Sequence, residues 1–131
     1  MKKLFNFFSG IIGLISFLMP YFWDSLKKQF KSGIKTDEFP SGKGKFGFDV
    51  TNPIPCKGFL GPNKYLQKIE FADKSSFRFE RHGSTGAENI NAEHIDIYSI
   101  YKNGKKHSDL YLAPYQKRTS RKVPEGFIFK S

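Results

Sequence analysis

The sequence is poor in features that usually give a small protein away. It has one cysteine, Cys56, so no intrachain disulfide can form and no redox compartment is implied. No internal repeat and no low-complexity tract interrupts it. Acidic residues are scarce, 12 against 22 basic, for a formal charge of +10. The most telling absence is local: residues 4–23, opening with Leu4 and closing with Trp23, contain no charged side chain. As a helix those 20 residues would span roughly 30 Å, the thickness of a bilayer's hydrocarbon core.

Lys2 and Lys3 precede that stretch, and Lys27, Lys28 and Lys31 follow it. Asn6, Ser9, Gly10, Gly13 and Ser16 fall on one side of a helix, opposite Phe5, Phe8, Ile12, Ile15 and Leu18. A stripe of small residues suits close helix packing in lipid. Pro20 would kink or end the helix near Met19, leaving an uninterrupted run at residues 4–19 that is slightly short for a span. Tyr21, Phe22 and Trp23 then lie where an aromatic belt meets the headgroups. Phe22, Leu26 and Phe30, with lysines between them, read as an amphipathic turn on the surface. A cleaved secretory signal would need a small-x-small site after the apolar core, which is missing. A helix buried in the domain would need more apolar surface than the remaining chain offers. The reading carried forward is an uncleaved membrane contact through Leu4 to Trp23, single-pass or interfacial. Lysine counts lean only slightly towards a cytoplasmic domain.

The residues after position 32 suffice for one domain with a modest core. They hold most of the excess positive charge, which favours an anionic partner: a lipid surface, an acidic protein, or, less favoured, nucleic acid. Residues 33–45, with Gly33, Gly42, Gly44, Pro40 and Ser41, read as a linker, and residues 46–131 as a basic β-rich domain. Phe46, Phe48 and Val50 alternate like a short strand. Residues 51–63, with three prolines and two glycines, read as a loop. Residues 65–71 and 76–82 alternate as two strands of a hairpin, with Ile69, Phe71, Phe77 and Phe79 inward. Residues 83–91 read as a polar loop.

The strongest local signal lies in residues 94–113. Asn103-Gly104 is the favoured pair for a two-residue type I′ turn. A turn there pairs Lys102 with Lys105, and in an unbroken register sets Ile95 across from Leu112 and Ile97 across from Leu110. The other face collects His94, Asp96, Tyr98, Ile100, His107, Asp109 and Tyr111. Phe127 and Phe129 alternate as a last short strand. The expected fold is therefore mainly β, a small antiparallel sheet of hairpins, behind an N-terminal hydrophobic helix over residues 1–32.

Several motifs carry chemistry on paper. Gly42-x-Gly44-x-x-Gly47 matches the dinucleotide fingerprint in letters, but Asn52-Pro53-Ile54-Pro55 leaves no room for the helix whose N-terminus would meet a pyrophosphate. No cofactor is expected. His94, Asp96, His107 and Asp109 suggest a metal site, but the hairpin register separates His107 from His94 by about 20 Å along the strand. No metal is expected. Glu80 and His82, two apart on a strand, share a face, so Glu80 could orient His82 as a base, with Cys56 or Ser84 as nucleophile. The plainer expectation is that Glu80 is held charged by Arg78 and Arg81, and that His82 bonds the backbone of the following turn. Lys117, Arg118, Arg121 and Lys122 form a basic tail for an anionic partner. Lys57, Lys64, Phe59, Tyr65 and Tyr115 would add stacking surface.

Asn52-Pro53-Ile54-Pro55-x-x-Gly58, Gly61, Tyr65-Leu66, Arg81-His82-Gly83-Ser84, Asp96-x-Tyr98, Leu110-Tyr111 and Pro124-x-Gly126-Phe127 together resemble a family of small uncharacterised bacterial proteins. The resemblance covers residues 52–127 and brings no activity and no site residues with it. The leading expectation is a membrane-anchored, non-catalytic accessory or interaction protein. The alternatives are a small hydrolase using His82 and Glu80, and a binder of nucleic acid or another anionic polymer.

Overall fold

A computed structural model describes residues 33–131 and, ahead of them, Asp24. The hydrophobic helix and membrane contact expected over residues 1–32 therefore lie outside the described residues. Among the described residues, no helix is long and apolar enough to cross a membrane.

The chain is mainly β. Its elements are β1 (Ile54–Lys57), α1 (Gly61–Gln67), β2 (Ile69–Phe71), β3 (Arg78–Ala87), a 3-10 turn at Glu88–Ile90, β4 (Ala92–Lys102), β5 (Lys105–Gln116) and β6 (Phe127–Phe129). Four strands form one sheet in the order β1-β5-β4-β3, and β2 pairs with β6 in a second, two-stranded sheet. Every pairing is antiparallel except β1 with β5, which is parallel.

The β4–β5 hairpin turns where expected. Asn103 and Gly104 sit at φ 52° and 77°, and Lys102 faces Lys105. Beyond the turn the expected register fails. Tyr101 faces Lys106 but Ile100 faces Ser108, so His107 is an inserted residue. From there Tyr98 faces Leu110 and Asp96 faces Leu112. The expected pairs of Ile95 with Leu112 and Ile97 with Leu110 do not form, because one extra residue reverses the parity of β5 against β4.

That insertion gives the sheet two covered faces. Tyr98, Ile100, Leu110 and Leu112 join Ile54, Cys56, Tyr65, Leu66, Ile69, Phe71 and Phe127 in the larger core, beneath α1 and the small sheet. Ile95, Ala113, Ala92, Ile90 and Phe39 form a smaller core on the opposite face. Phe39 comes from the segment expected as a linker; it is 5% exposed and packed down on the sheet.

Five further expectations are corrected. Residues 65–71 are not one strand: Tyr65 and Leu66, both buried, lie on α1, and only Ile69–Phe71 is extended. Pro62 near the start of the helix has φ already suited to it, and the buried set Gly61, Pro62, Tyr65, Leu66 and Ile69 has helical spacing. β2 pairs with β6 rather than with the strand that follows it, setting Phe71 opposite Phe127 with rings stacked 4.9 Å apart. Within the expected loop at 51–63, Ile54–Lys57 is a strand. Pro55 is tolerated within it because it is an edge of the main sheet. Within the expected loop at 83–91, β3 runs on to Ala87 as the other edge. Phe46, Phe48 and Val50 lie in turns, with Phe46 buried. Gly47 is required among them: at φ +79°, a Cβ there would lie 2.7 Å from Pro124 Cγ.

A Cβ built on Gly104 meets nothing within 4 Å, so substitution there tests backbone conformation alone. Gly104→Val should lower stability by on the order of 1 kcal/mol or more, because a β-branched residue is strained at positive φ. Thermal melts of the two proteins check it, and an unchanged midpoint would place the turn elsewhere.

Candidate functional site

His82 is the residue inserted in the β3–β4 ladder, where Arg81 faces Tyr98 and Gly83 faces Ile97. Its partner is neither Glu80 nor the backbone of a following turn. Nδ1 lies 3.3 Å from Oγ of Ser99 on β4, and that hydroxyl donates to Oδ1 of Asp109 on β5 at 3.1 Å. With the Ser99 proton directed to Asp109, Ser99 accepts from a proton on His82 Nδ1, and a neutral imidazole in that arrangement would present Nε2 as an acceptor. Lys106 lies 3.1 Å from the same Asp109 oxygen. The order of this relay matters chemically. A carboxylate that oriented the histidine would raise its basicity towards a nucleophile; here the serine is in the middle, 4% exposed and with its proton directed away from the ring.

The other members of the expected catalytic set are elsewhere. Glu80 accepts from the guanidinium of Arg78, which also lies over the ring of Tyr101 at 4.2 Å. Cys56 is fully buried in the larger core, and burial, with the charge of Asp96, pushes its thiol well above its usual value. Ser99 alternates with Tyr98 and Ile100, so the His82 relay and Cys56 are on opposite faces of the sheet. Ser84 is exposed and faces Asp96 across the ladder. A cleft of about 470 Å³ beside His107, lined by Lys45, Phe48, Glu125 and Gly126, does not include His82.

A denser set of titratable groups lies near the start of β4. Arg81 donates to Oδ1 of Asp96 through Nε at 3.3 Å and Nη2 at 3.1 Å. Burial raises the Asp96 carboxyl above its usual range, and the Arg81 contact pulls the other way. Burial lowers His94, against the opposing charges of Glu93 and Asp96. Tyr98 and Tyr115 are raised by burial and by the Asp96 charge. Among the described residues no group of three or more His, Cys, Asp or Glu side chains is arranged to hold a metal ion.

The expected basic tail is largely engaged. Arg118 Nη2 bonds Asp37 Oδ1 at 2.6 Å, and the Arg121 backbone N–H donates to the same oxygen at 2.9 Å. Lys122 Nζ bonds Glu38 Oε2 at 2.7 Å and lies 4.8 Å from the ring centre of Phe46. Lys117 alone of the four has an exposed side chain outside any ion pair of the described residues. Tyr65, expected as a stacking platform, is 1% exposed and donates its hydroxyl to the Lys122 carbonyl at 2.7 Å.

Sequence reading missed Ser99 and Asp109 as partners of His82, because they lie 17 and 27 positions away and meet only through the register. It missed the carboxylates of Asp37 and Glu38 because it took their segment for a linker. An acidic pair ahead of a basic tail was the available signal. No family model, no curated protein and no solved structure matches the chain.

Two outcomes follow from this geometry. In nitrogen-correlated NMR, neutral His82 should show the Nδ1–H tautomer, and Ser99→Ala should return it to the Nε2–H form usual in solution. Asp37 is held below its usual pKa first by the Arg121 N–H and then by Arg118, so its stabilisation is present above the unfolded value of 3.8 and lost as pH falls through the folded one. Asp37→Asn should therefore melt lower than the parent at pH 7, with the difference closing as pH falls below 3.8 through the lowered folded value. A constant gap across that range would show that the carboxylate charge is not what holds the tail.

Proposed function

We propose that this chain is a non-catalytic accessory or interaction module held at a membrane through Leu4 to Trp23. The observation that carries the reading is the uncharged 20-residue stretch, bracketed by lysines on both sides and ending in an aromatic cluster. The surplus of basic residues in the domain supports it, since it draws the domain to an anionic surface. The hydrolase reading with His82 and Glu80 has less support. Glu80 is engaged by Arg78, and the hydroxyl nearest His82 is buried and directed to Asp109. The anionic-polymer reading is weakened by the pairing of Arg118, Arg121 and Lys122 with Asp37 and Glu38.

Carbonate extraction of cells expressing the full chain tests the proposal. The protein should remain in the membrane pellet, and replacing Leu14 and Leu18 by arginine should release it, because charge at the centre of a span opposes insertion. Recovery of the parent chain in the supernatant overturns the tether.

A further inference from the structure

The two edges of the main sheet are not alike. The tail covers β1: the Ser120 N–H donates to the Pro55 carbonyl at 2.8 Å, and the Lys57 N–H donates to Thr119 Oγ1 at 2.9 Å. β3 lies at the other end of the strand order and pairs with β4 alone. Its backbone directions follow from the hairpin turn. Lys102 faces Lys105 across two residues, so its N–H and carbonyl point at β5. β4 runs unbroken from there, so the backbone groups of Tyr101 and Ser99 point the other way, at Arg78 and Glu80 of β3. Those of Phe79, between the two, therefore point out of the sheet. No turn, loop or tail of the described residues reaches the Phe79 N–H or carbonyl.

The surface around this bare position is complementary to itself. Arg78 and Glu80, both exposed, flank Phe79 with opposite charges. On the other face Phe77 and Phe79 are only partly buried, and with Leu66 and Ile69 they line a groove of about 270 Å³ beside the edge. Two copies related by a two-fold axis through Phe79 would run antiparallel, set Phe79 opposite Phe79 and exchange both of its backbone hydrogen bonds. Arg78 of each copy would then face Glu80 of the other. Glu80 accepts from its own Arg78 through Oε1, which leaves Oε2 for the other copy. Moving the axis to Arg78, Glu80 or Arg81 sets like charges opposite each other instead. Charged residues ordinarily protect an edge from pairing. In this order they permit one register, and the insertion at His82 bends the edge just beyond it.

We infer that β3 is a self-association edge: two copies of this chain join by antiparallel pairing of β3 about Phe79, making one continuous sheet across the two-fold axis. The inference goes beyond the tether proposed above and uses no residue of 1–32. A second copy fits better than an unrelated strand because the charge order around Phe79 matches its own reverse. It also brings a second partly exposed Phe79 ring to the same place. So short a strand pair is weak by backbone alone. Burial of Phe77 and Phe79 from each copy, beside two grooves brought together, supplies the apolar part.

The test uses the full chain in mild detergent. Arg78→Cys and Glu80→Cys chains, carrying tags of different size, are oxidised separately and as a mixture. In the pairing about Phe79 the two positions face each other with Cα atoms about 4.5 Å apart, within disulfide reach. Each position lies about 7–8 Å from its own counterpart, beyond that reach. The mixture should therefore give roughly fivefold more covalent dimer than either chain alone. Cys56 is buried and stays out of the reaction. The second reading is hydrogen exchange at the Phe79 amide, which is bare in a single chain and bonded in the pair. Glu80→Arg should speed that exchange roughly tenfold by setting guanidinium groups against each other, and Arg78→Glu combined with Glu80→Arg should restore the parent rate. Thermal melts and the double swap separate loss of pairing from loss of fold. A mixture that cross-links no more than the separate chains overturns the pairing. So does a Phe79 amide that exchanges as fast in the parent as in Glu80→Arg. Neither reading depends on residues 4–23 entering a membrane, so a failed tether leaves the pairing standing and a failed pairing leaves the tether.

Discussion

One inserted residue decides how this sheet is buried. Asn103-Gly104 fixes the turn of the β4–β5 hairpin, and with an unbroken ladder Leu110 and Leu112 would share a face with Ile97 and Ile95. His107 breaks the ladder, and the two leucines instead join Tyr98 and Ile100. Ile95 and Ala113 are left on the opposite face. A sheet that would have had one apolar side acquires two, and both must be covered. The inserted residue also helps with the covering: its ring lies 4.9 Å from Phe71 and 6.3 Å from Phe127, against the two-stranded sheet on the larger core.

Covering the second face falls to residues 33–52, which are rich in glycine and have no regular element. Their attachment is mostly polar. The buried Asn52 amide donates to Glu38 and to the Gly44 carbonyl, each at 3.0 Å. Asn89 donates to the carbonyls of Ser41 and Thr51. Asp37 gathers Arg118 and Arg121, and its carbonyl accepts from Ser120. The basic tail and the glycine-rich segment therefore hold each other, and charge that looks available in sequence is spent internally. What stays outward is spread over the surface, at Lys35, Lys43, Lys57, Lys64, Lys68, Lys74, Lys105, Lys117 and Lys130.

The legible parts of the fold were those with local causes. Mainly β character followed from alternation, the turn from Asn103-Gly104, and the last strand from Phe127 and Phe129. The parts that were not legible depend on contacts far apart in sequence. Nothing near His107 announces an inserted residue, yet it changes every pairing beyond Ile100. β3 past Gly83 carries almost no apolar alternation because it is an edge, and an edge gains from being polar. β1 contains two residues' worth of proline signal against a strand, Pro53 beside it and Pro55 within it. Only its place at the sheet edge makes that harmless. α1 was readable in principle: Tyr65-Leu66 are adjacent apolar residues, which a half-buried strand does not accommodate and a helix does. Of the candidate site, His82 was visible and its relay was not, since Ser99 and Asp109 reach it only through two ladders.

The carboxylates divide by sign, and that division says where the fold yields to acid. Asp37 and Glu38 are both lowered, by hydrogen bonds from the tail and from Asn52, so they favour folding while ionised. Asp96 is raised by burial, so it favours folding while protonated; its contribution falls as pH rises above 3.8 through the folded value. Lowering the pH therefore weakens the polar attachment of residues 33–52 while removing the cost of burying the Asp96 charge beside the larger core. On the larger-core side Asp73 is lowered too, by Lys102, whose ammonium lies 4.5 Å from the Phe71 ring centre, but that pair is at the surface and the core beneath it is apolar. Acid should loosen the molecule from the covered second face inwards, beginning with the segment that the Asp37 and Glu38 carboxylates, together with Phe39, hold in place.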